Sequence, residues 1–496
     1  MVIHFYTSIK NMENKKISLK LNAILNVIKQ ICSILFPMIT FPYASRVLGR
    51  FSYGKVNFGQ SIISYITLIA GLGITNYAIR EGAKIRNDKV KLNKFANEVF
   101  SINVISTVIA YAVLLLLIIF WKRLDGYATL LIIQSLTVLF TTIGTDWINS
   151  IYEDYLYITI RYIVCQSLAL VLMLTLVKSS NDYLIYALSS VSSTVLANIL
   201  NVGYIRKTYR IRIKFTIKIN VQQHIKPIMI LFGTSVAQLI YINSDVTILG
   251  MIKDENEVGL YSVSAKIYSL VKSLLNATLV VAIPRISHEL SVLSQKKVDK
   301  HLSKIIGNLF VLAFPACIGL FMLSSPIVLL FSGKEFGEAA SSLRILSFGL
   351  IFASLACFYI NVVMIPYNME KKVLVATAVS ALENIILNFI LIPICGQNAA
   401  AFTTLLSEFI MMIMGIYYTR NVIKLNIKKP LFIGILNGLT TFLICNGVSH
   451  LYLGNLLTIV ISIVFSIIAC ALILYFFYRS MFDSLVGGVL KKVRRK

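Results

Sequence analysis

Several charged side chains stand inside apolar runs of this sequence: Lys29, Asp146, Asp245, Lys266, Lys272, Glu383 and Glu408, with Arg46 and Arg161 at the ends of two such runs. A charge in hydrocarbon surroundings is costly and is kept where it faces a wet cavity or a partner. Spacing indicates direction. Asn22, Asn26, Lys29 and Ser33 step by four, three and four, which places them on one helix face. Lys266, Ser269, Ser273 and Asn276 do the same in a later run; Gln238, Tyr241 and Asp245 share a face in a third, and Ser61 and Ser64 in a fourth. Fixed cations on polar stripes favour an anionic solute, phosphate above all. Lys29, Arg46 and Lys266 are therefore the candidate cations of a substrate cavity, with Arg50 extending the field. Asp245, Glu383 and Asp146 are candidate counter-ions or coupling-ion sites. The competing reading is structural: Ser and Asn stripes also glue helices together, and a lone acid is often half of a buried ion pair.

Catalytic chemistry finds no support. There is no GxxxxGK[ST] phosphate loop; FSGKEFG at 331–337 has Gly-Lys without the preceding glycine spacing. HExxH and GxSxG are absent. The seven cysteines are scattered with no CxxC pair, as small buried hydrophobes would be. The five histidines are dispersed, mainly in tails and loops, so no metal cluster and no cofactor are expected. Energy has to come from an H+ or Na+ gradient, the membrane potential or the solute's own gradient.

The elements that must position these residues are membrane helices. Of 496 residues 57% are hydrophobic and 14% charged, and the mean hydropathy is +0.80. Apolar runs of about twenty residues recur throughout, the length that crosses about 30 Å of hydrocarbon. The alternating ten-residue segments of a β-barrel are missing. The reading is an all-α polytopic membrane protein with fourteen spans, near 20–44, 54–79, 95–121, 127–149, 157–177, 182–205, 227–251, 258–283, 303–330, 341–365, 372–393, 399–419, 430–450 and 453–478. The first is too long for a signal peptide and is read as a retained helix. On this count 35 of the 47 Lys and Arg fall on the side of both termini and 9 on the other. That bias places both ends in the cytoplasm. It also explains a net charge of +26 without nucleic acid.

The most basic connection, 206–227, falls near the middle of the first twelve spans and reads as a linker against anionic lipid. An internal repeat agrees. VLGRFSYGKVNFGQSIISYI (47–66) resembles ILGMIKDENEVGLYSVSAKIYSLV (248–271): Leu48 and Gly49 match Leu249 and Gly250, and after a four-residue insertion Gly54 matches Gly259. Each half has six spans, so the repeats are parallel, related by an axis along the membrane normal, and such halves usually rock about a central cavity. The expected organisation is an N-terminal bundle at 1–218, a second at 219–425, and two further helices with a basic tail at 426–496. Pro37 and Pro42 predict a kink in the first helix, a plausible gate.

Four segments resemble the bacterial polysaccharide repeat-unit flippases of the Wzx type, relatives of MATE transporters and lipid II flippases. They are FPYASRVLGRFSYGKVNFGQSIISYITLIAGLGITNYAIRE (41–81), DWINSIYEDYLYITIRYIVCQSLALVLMLTLVKSSNDYLIYAL (146–188), YINSDVTILGMIKDENEVGLYSVSAKI (241–267) and the stretch ending LNFILIP (387–393). The resemblance implies a MATE-like fold of two six-helix bundles plus two C-terminal helices. It implies transport of an undecaprenyl-diphosphate-linked oligosaccharide from the inner to the outer leaflet of the cytoplasmic membrane, for O-antigen, capsule or a related polymer. Membrane lipids, and a polymerase or other assembly proteins, are the partners it implies. It puts the Arg of SRVLG, here Arg46, near a cationic cavity, and adds the Arg of ITIR, here Arg161. Sugar-contacting residues do not carry over, because the family varies outside these motifs. Two rival readings remain: an ion-coupled drug or cation antiporter of the same fold, which would want carboxylates where Lys29 stands, and a non-transporting membrane component of polymer assembly, which usually carries a larger outer loop.

Overall fold

The computed structural model describes residues 19–280 and 282–479; the side chains of 19–24 and 26, among them Asn22 and Asn26, lie outside the described set, as do the terminal basic tails. Within the described residues the chain is helical, without strands. The helices are α1 (Leu19–Gly71), α2 (Ile74–Lys84), α3 (Lys89–Phe120), α4 (Ala128–Gly144), α5 (Trp147–Ile151), α6 (Tyr155–Leu176), α7 (Tyr183–Tyr204), α8 (Val221–Ile252), α9 (Glu255–Val280), α10 (Ala282–Val292), α11 (Gln295–Met322), α12 (Ser324–Ser332), α13 (Ala339–Cys357), α14 (Glu370–Thr419), α15 (Lys428–Ser449) and α16 (Asn455–Phe477). Eleven helical stretches are long and apolar enough to cross a membrane. Gly49 and Gly396 break α1 and α14 into two limbs each. Counting those limbs and the shorter apolar α4 gives fourteen, as expected. Their outer faces are apolar: Val460, Ile463, Val464 and Ile467 of α16 are each about half exposed, which water would penalise and hydrocarbon does not.

The breaks fall at glycines rather than prolines. α1 runs helically through Pro37 and Pro42, and the backbone turns at Gly49 (φ 68°), a left-handed conformation that glycine adopts without strain. The second expected span is likewise cut: α1 ends at Gly71, Leu72 and Gly73 take positive φ, and α2 follows. In α14 the bend sits at Gly396 (φ 53°), where Gln397 N–H, freed from the ladder, donates to Glu257 Oε2 at 2.7 Å.

The chain divides into two compact units. Unit 1 holds the described residues up to Phe41 together with 62–236. In it α4 and α6 pack on α7, and α2 packs on α5. Polar side chains close the helix ends. Asp88 caps α3 through Val90 and Lys91 N–H, and Asn201 donates to the Gly144 carbonyl at 2.7 Å, satisfying the end of α4. The connector after α7 lies along α3: the N–H groups of Lys214, Thr216 and Asn220 donate to Asn97, Ser101 and Glu98.

Unit 2 holds 42–61 and 237–496 in its described part. Here α13 packs on α14, α11 on α13 and α15, and α15 on α16, around a core that includes Leu309, Phe358 and Val362. The limb of α1 after Gly49 crosses α9 at backbone contact. A Cβ on Gly54 would stand 1.8 Å from the Glu255 carbonyl oxygen, and one on Gly259 2.1 Å from that of Arg50. The two glycines that the repeat aligns therefore meet each other, since only a residue without Cβ permits that approach.

Candidate functional site

In unit 1, Lys29 is half-buried on α1 and forms no ion pair with the described residues. Arg161 of α6 is 7% exposed. Its Nη2 donates to Asp146 Oδ1, and its guanidinium lies 5.0 Å from the centre of the Tyr157 ring. Nε and Nη1 keep no acceptor among the described residues, so the group retains donors for an anion. Asp146, just before α5, also accepts from Asn149 at 3.1 Å. The histidines are not all in loops or tails: His224 of α8 is 1% exposed, contacts Tyr77 Oη at 2.6 Å through Nδ1 and faces Glu98 Oε2 at 3.0 Å through Nε2.

In unit 2, Arg46 has a structural employment. Its Nε donates to the Phe331 carbonyl at 3.1 Å and its Nη2 to that of Leu330, so it caps the C-terminal carbonyls of α12, where positive charge is favourable. Arg50 stands 3.7 Å from Glu338. On α9, Lys266 is half-buried and has no carboxylate within ion-pair distance among the described residues. Ser269 beside it is exposed, whereas Val263, Ser264 and Ile267 are buried, so the polar stripe lies on the open side of the helix. Lys272, off that stripe, pairs with Glu408 of α14.

Asp245 of α8 is 5% exposed and accepts from four neutral donors: Tyr261 Oη at 2.7 Å, Asn384 Nδ2 at 2.9 Å, Asn388 Nδ2 at 2.6 Å and Thr404 Oγ1. The spacing of α14 makes this set. Asn384 and Asn388 are four apart and share a face, and the bend at Gly396 folds the second limb back so that Thr403 and Thr404 reach it. Thr403 donates to Asn388 Oδ1 at 2.6 Å, and Ser244 to Asn384 Oδ1 at 2.6 Å, which fixes both amides with their N–H groups toward the carboxylate. Glu383 accepts from Ser407 at 2.9 Å, its other oxygen lacking a donor among the described residues. Four carboxylate residues are buried among the described residues: Glu98, Asp245, Glu289 and Glu408. Glu98 faces His224, Glu289 faces Arg285 and His301, and Glu408 faces Lys272. Asp245 alone of these has no basic partner. Sequence reasoning singled out the aspartate but not its Asn and Thr partners, whose signal was the NxxxN spacing ahead of a glycine.

Residues 19–289 match the family model described as polysaccharide biosynthesis protein, and 164–469 match that of the lipid II flippase MurJ. A protein of Escherichia coli (strain K12) whose name assigns it to O-antigen transport is 24% identical over 411 residues, covering 83% of this chain and 99% of that one. Among solved structures, lipid II flippase MurJ in an inward closed conformation superposes with a TM-score of 0.74 at 17% identity, over 93% of this chain and 99% of that chain. A multidrug resistance MATE family transporter of the MOP superfamily, in an inward-facing conformation, gives 0.57 at 14% identity, over 78% and 94%. These likenesses fix the fold as MATE-like, and the chain belongs to the polysaccharide biosynthesis family, the Wzx-type flippases of that superfamily.

Proposed function

We propose that the chain carries undecaprenyl-diphosphate-linked oligosaccharide repeat units from the inner to the outer leaflet of the cytoplasmic membrane by alternating access, with both termini in the cytoplasm. The work is transport of a lipid-linked oligosaccharide, not catalysis. One observation carries the reading of the substrate's charge: each unit holds a half-buried lysine in a membrane helix, Lys29 and Lys266, without a carboxylate partner among the described residues. An uncompensated cation in such a setting is stabilised by an anion brought to it, and a diphosphate is a strong one. A drug or cation antiporter would need acids at those places. Arg161, with two unused donors beside Asp146, extends the cationic set in unit 1. The relative's name supports O-antigen synthesis as the purpose.

Asp245 supplies the coupling site in this reading. A buried carboxylate held only by neutral donors has no basic residue to balance its charge, so a monovalent cation brought to it can do so. The neighbouring oxygens of Thr404 and Tyr261 suit a hard cation. Glu383, on α14 with Thr404, is the second candidate.

Deletion of the gene is expected to leave lipid-linked repeat units accumulating on the inner leaflet, scored by their inaccessibility to an external label. Lys29→Glu and Lys266→Glu are each expected to abolish export at normal protein levels. Unimpaired export in both variants would remove these lysines from the substrate path.

A further inference from the structure

Within unit 2, the ends of α10, α11 and α15 and the connector between α14 and α15 frame a cavity of about 1520 Å³. Its wall is strongly basic. Lys296, Lys300 and Lys304 recur every four residues, so one face of α11 presents all three. The connector brings Arg420, Lys424 and Lys429 to the same wall. That connector is anchored: Asn426 N–H donates to Ser303 Oγ at 3.0 Å, and Gln295 Nε2 donates to the Val422 carbonyl at 3.2 Å.

The acids nearby are already engaged. Glu289 is buried beneath the wall and taken by Arg285 and His301, each at 2.7 Å. Asp299, the one carboxylate in the lining, accepts from Gln295 at 2.8 Å. Arg420 and Lys429 lie over the Tyr417 and Tyr478 rings at 4.4 and 5.0 Å, contacts that leave their charge unneutralised. Lys296, Lys300, Lys304 and Lys424 have no ion-pair partner among the described residues. Six strong cations against one acid concentrate anions.

Depth and size narrow the ligand. Tyr475 and Tyr478 stand at the end of α16, Tyr475 exposed and Tyr478 half-buried. Aromatic side chains at the end of a membrane helix mark the headgroup layer. Drug-sized ligands fill about 300–1,000 Å³, so this basin exceeds what one phosphate needs.

We propose that this basin binds the phosphodiester headgroup of an anionic membrane lipid, preferring a headgroup with two phosphates. It shares no residue with the transport site above and holds whatever the substrate proves to be. The test uses the full chain, delipidated in nonionic detergent and titrated by native mass spectrometry with cardiolipin, phosphatidylglycerol, phosphatidylcholine or, as the soluble arm, inorganic pyrophosphate. Cardiolipin is expected to be retained over phosphatidylglycerol, and both over phosphatidylcholine. Each of Lys296→Gln, Lys300→Gln, Lys304→Gln and Lys424→Gln is expected to weaken retention about fivefold at low salt, while the corresponding Lys→Arg changes retain it. Cardiolipin loss from the unmodified protein at about 0.5 M salt supports the site without any variant. Equal retention of phosphatidylcholine, unchanged retention in the four Gln variants, or pyrophosphate binding without lipid preference would each overturn the proposal.

Discussion

The two units treat buried charge differently. In unit 1 the buried acid Glu98 faces buried His224, and buried Arg161 holds Asp146. In unit 2 Glu408 is matched by Lys272, but Asp245, equally buried, is held only by neutral donors. Paired buried charge is costly to disturb and changes little with ion concentration. A buried carboxylate without a basic partner leaves its charge to be balanced by a cation from outside the protein. In the reading proposed above, ion coupling belongs to unit 2, while each unit holds a half-buried lysine in a membrane helix, Lys29 and Lys266, with no carboxylate partner among the described residues.

The strongest way to break this contrast is Asp245→Asn against Asp146→Asn. Transport in proteoliposomes with and without an imposed Na+ or H+ gradient is expected to lose its gradient dependence, about tenfold or more, in the first only. Equal loss in both would place coupling elsewhere. Next, Glu408→Gln strands the Lys272 charge and is expected to cost about 3 kcal/mol. Glu98→Gln is expected to cost about 1 kcal/mol, because the amide keeps an oxygen that can face His224 Nε2 and strands no fixed charge. Thermal unfolding in detergent measures both, and equal shifts would erase the distinction between fixed and adaptable pairs. Smaller still, Gly54→Ala is expected to cost about 1–3 kcal/mol, since its Cβ would meet backbone. Gly203→Ala in unit 1 meets nothing within 4 Å and is expected to stabilise its helix by up to about 1 kcal/mol. Least, Arg46→Gln uncaps α12 for about 1 kcal/mol or less. A large export defect beside that small stability change would give Arg46 a part in transport as well.

The helices were legible in the sequence because hydrocarbon thickness imposes run length, and the fourteen runs persist as helices or limbs. Their breaks were misjudged where glycine, not proline, turns the chain: the sequence marks Pro37 and Pro42, but nothing local to Gly49 reveals that its backbone takes φ 68°. The site was half legible. Lys29, Lys266 and Asp245 announce themselves as charges in apolar runs. Their partners, or lack of them, depend on distant elements: Lys272 meets Glu408 across 136 positions and Arg46 meets Leu330 across 284. His224 was passed over as dispersed because nothing local shows that α8 buries it against Glu98.

Residues 42–61 belong by their contacts to unit 2, although the chain on both sides of them belongs to unit 1. The polypeptide therefore passes between the units at 41–42, at 61–62 and within α8 at 236–237. A protease cut in the 210–220 connector, which lies within unit 1, leaves all three crossings intact and gives two pieces that each carry residues of both units. The fragments after such a cut would stay together only through non-covalent contacts, with residues 42–61 of the N-terminal piece seated in unit 2 like a grafted strand of rope spliced into its neighbour. Residues 42–61 thereby keep the N-terminal piece at high effective concentration beside the rest of unit 2.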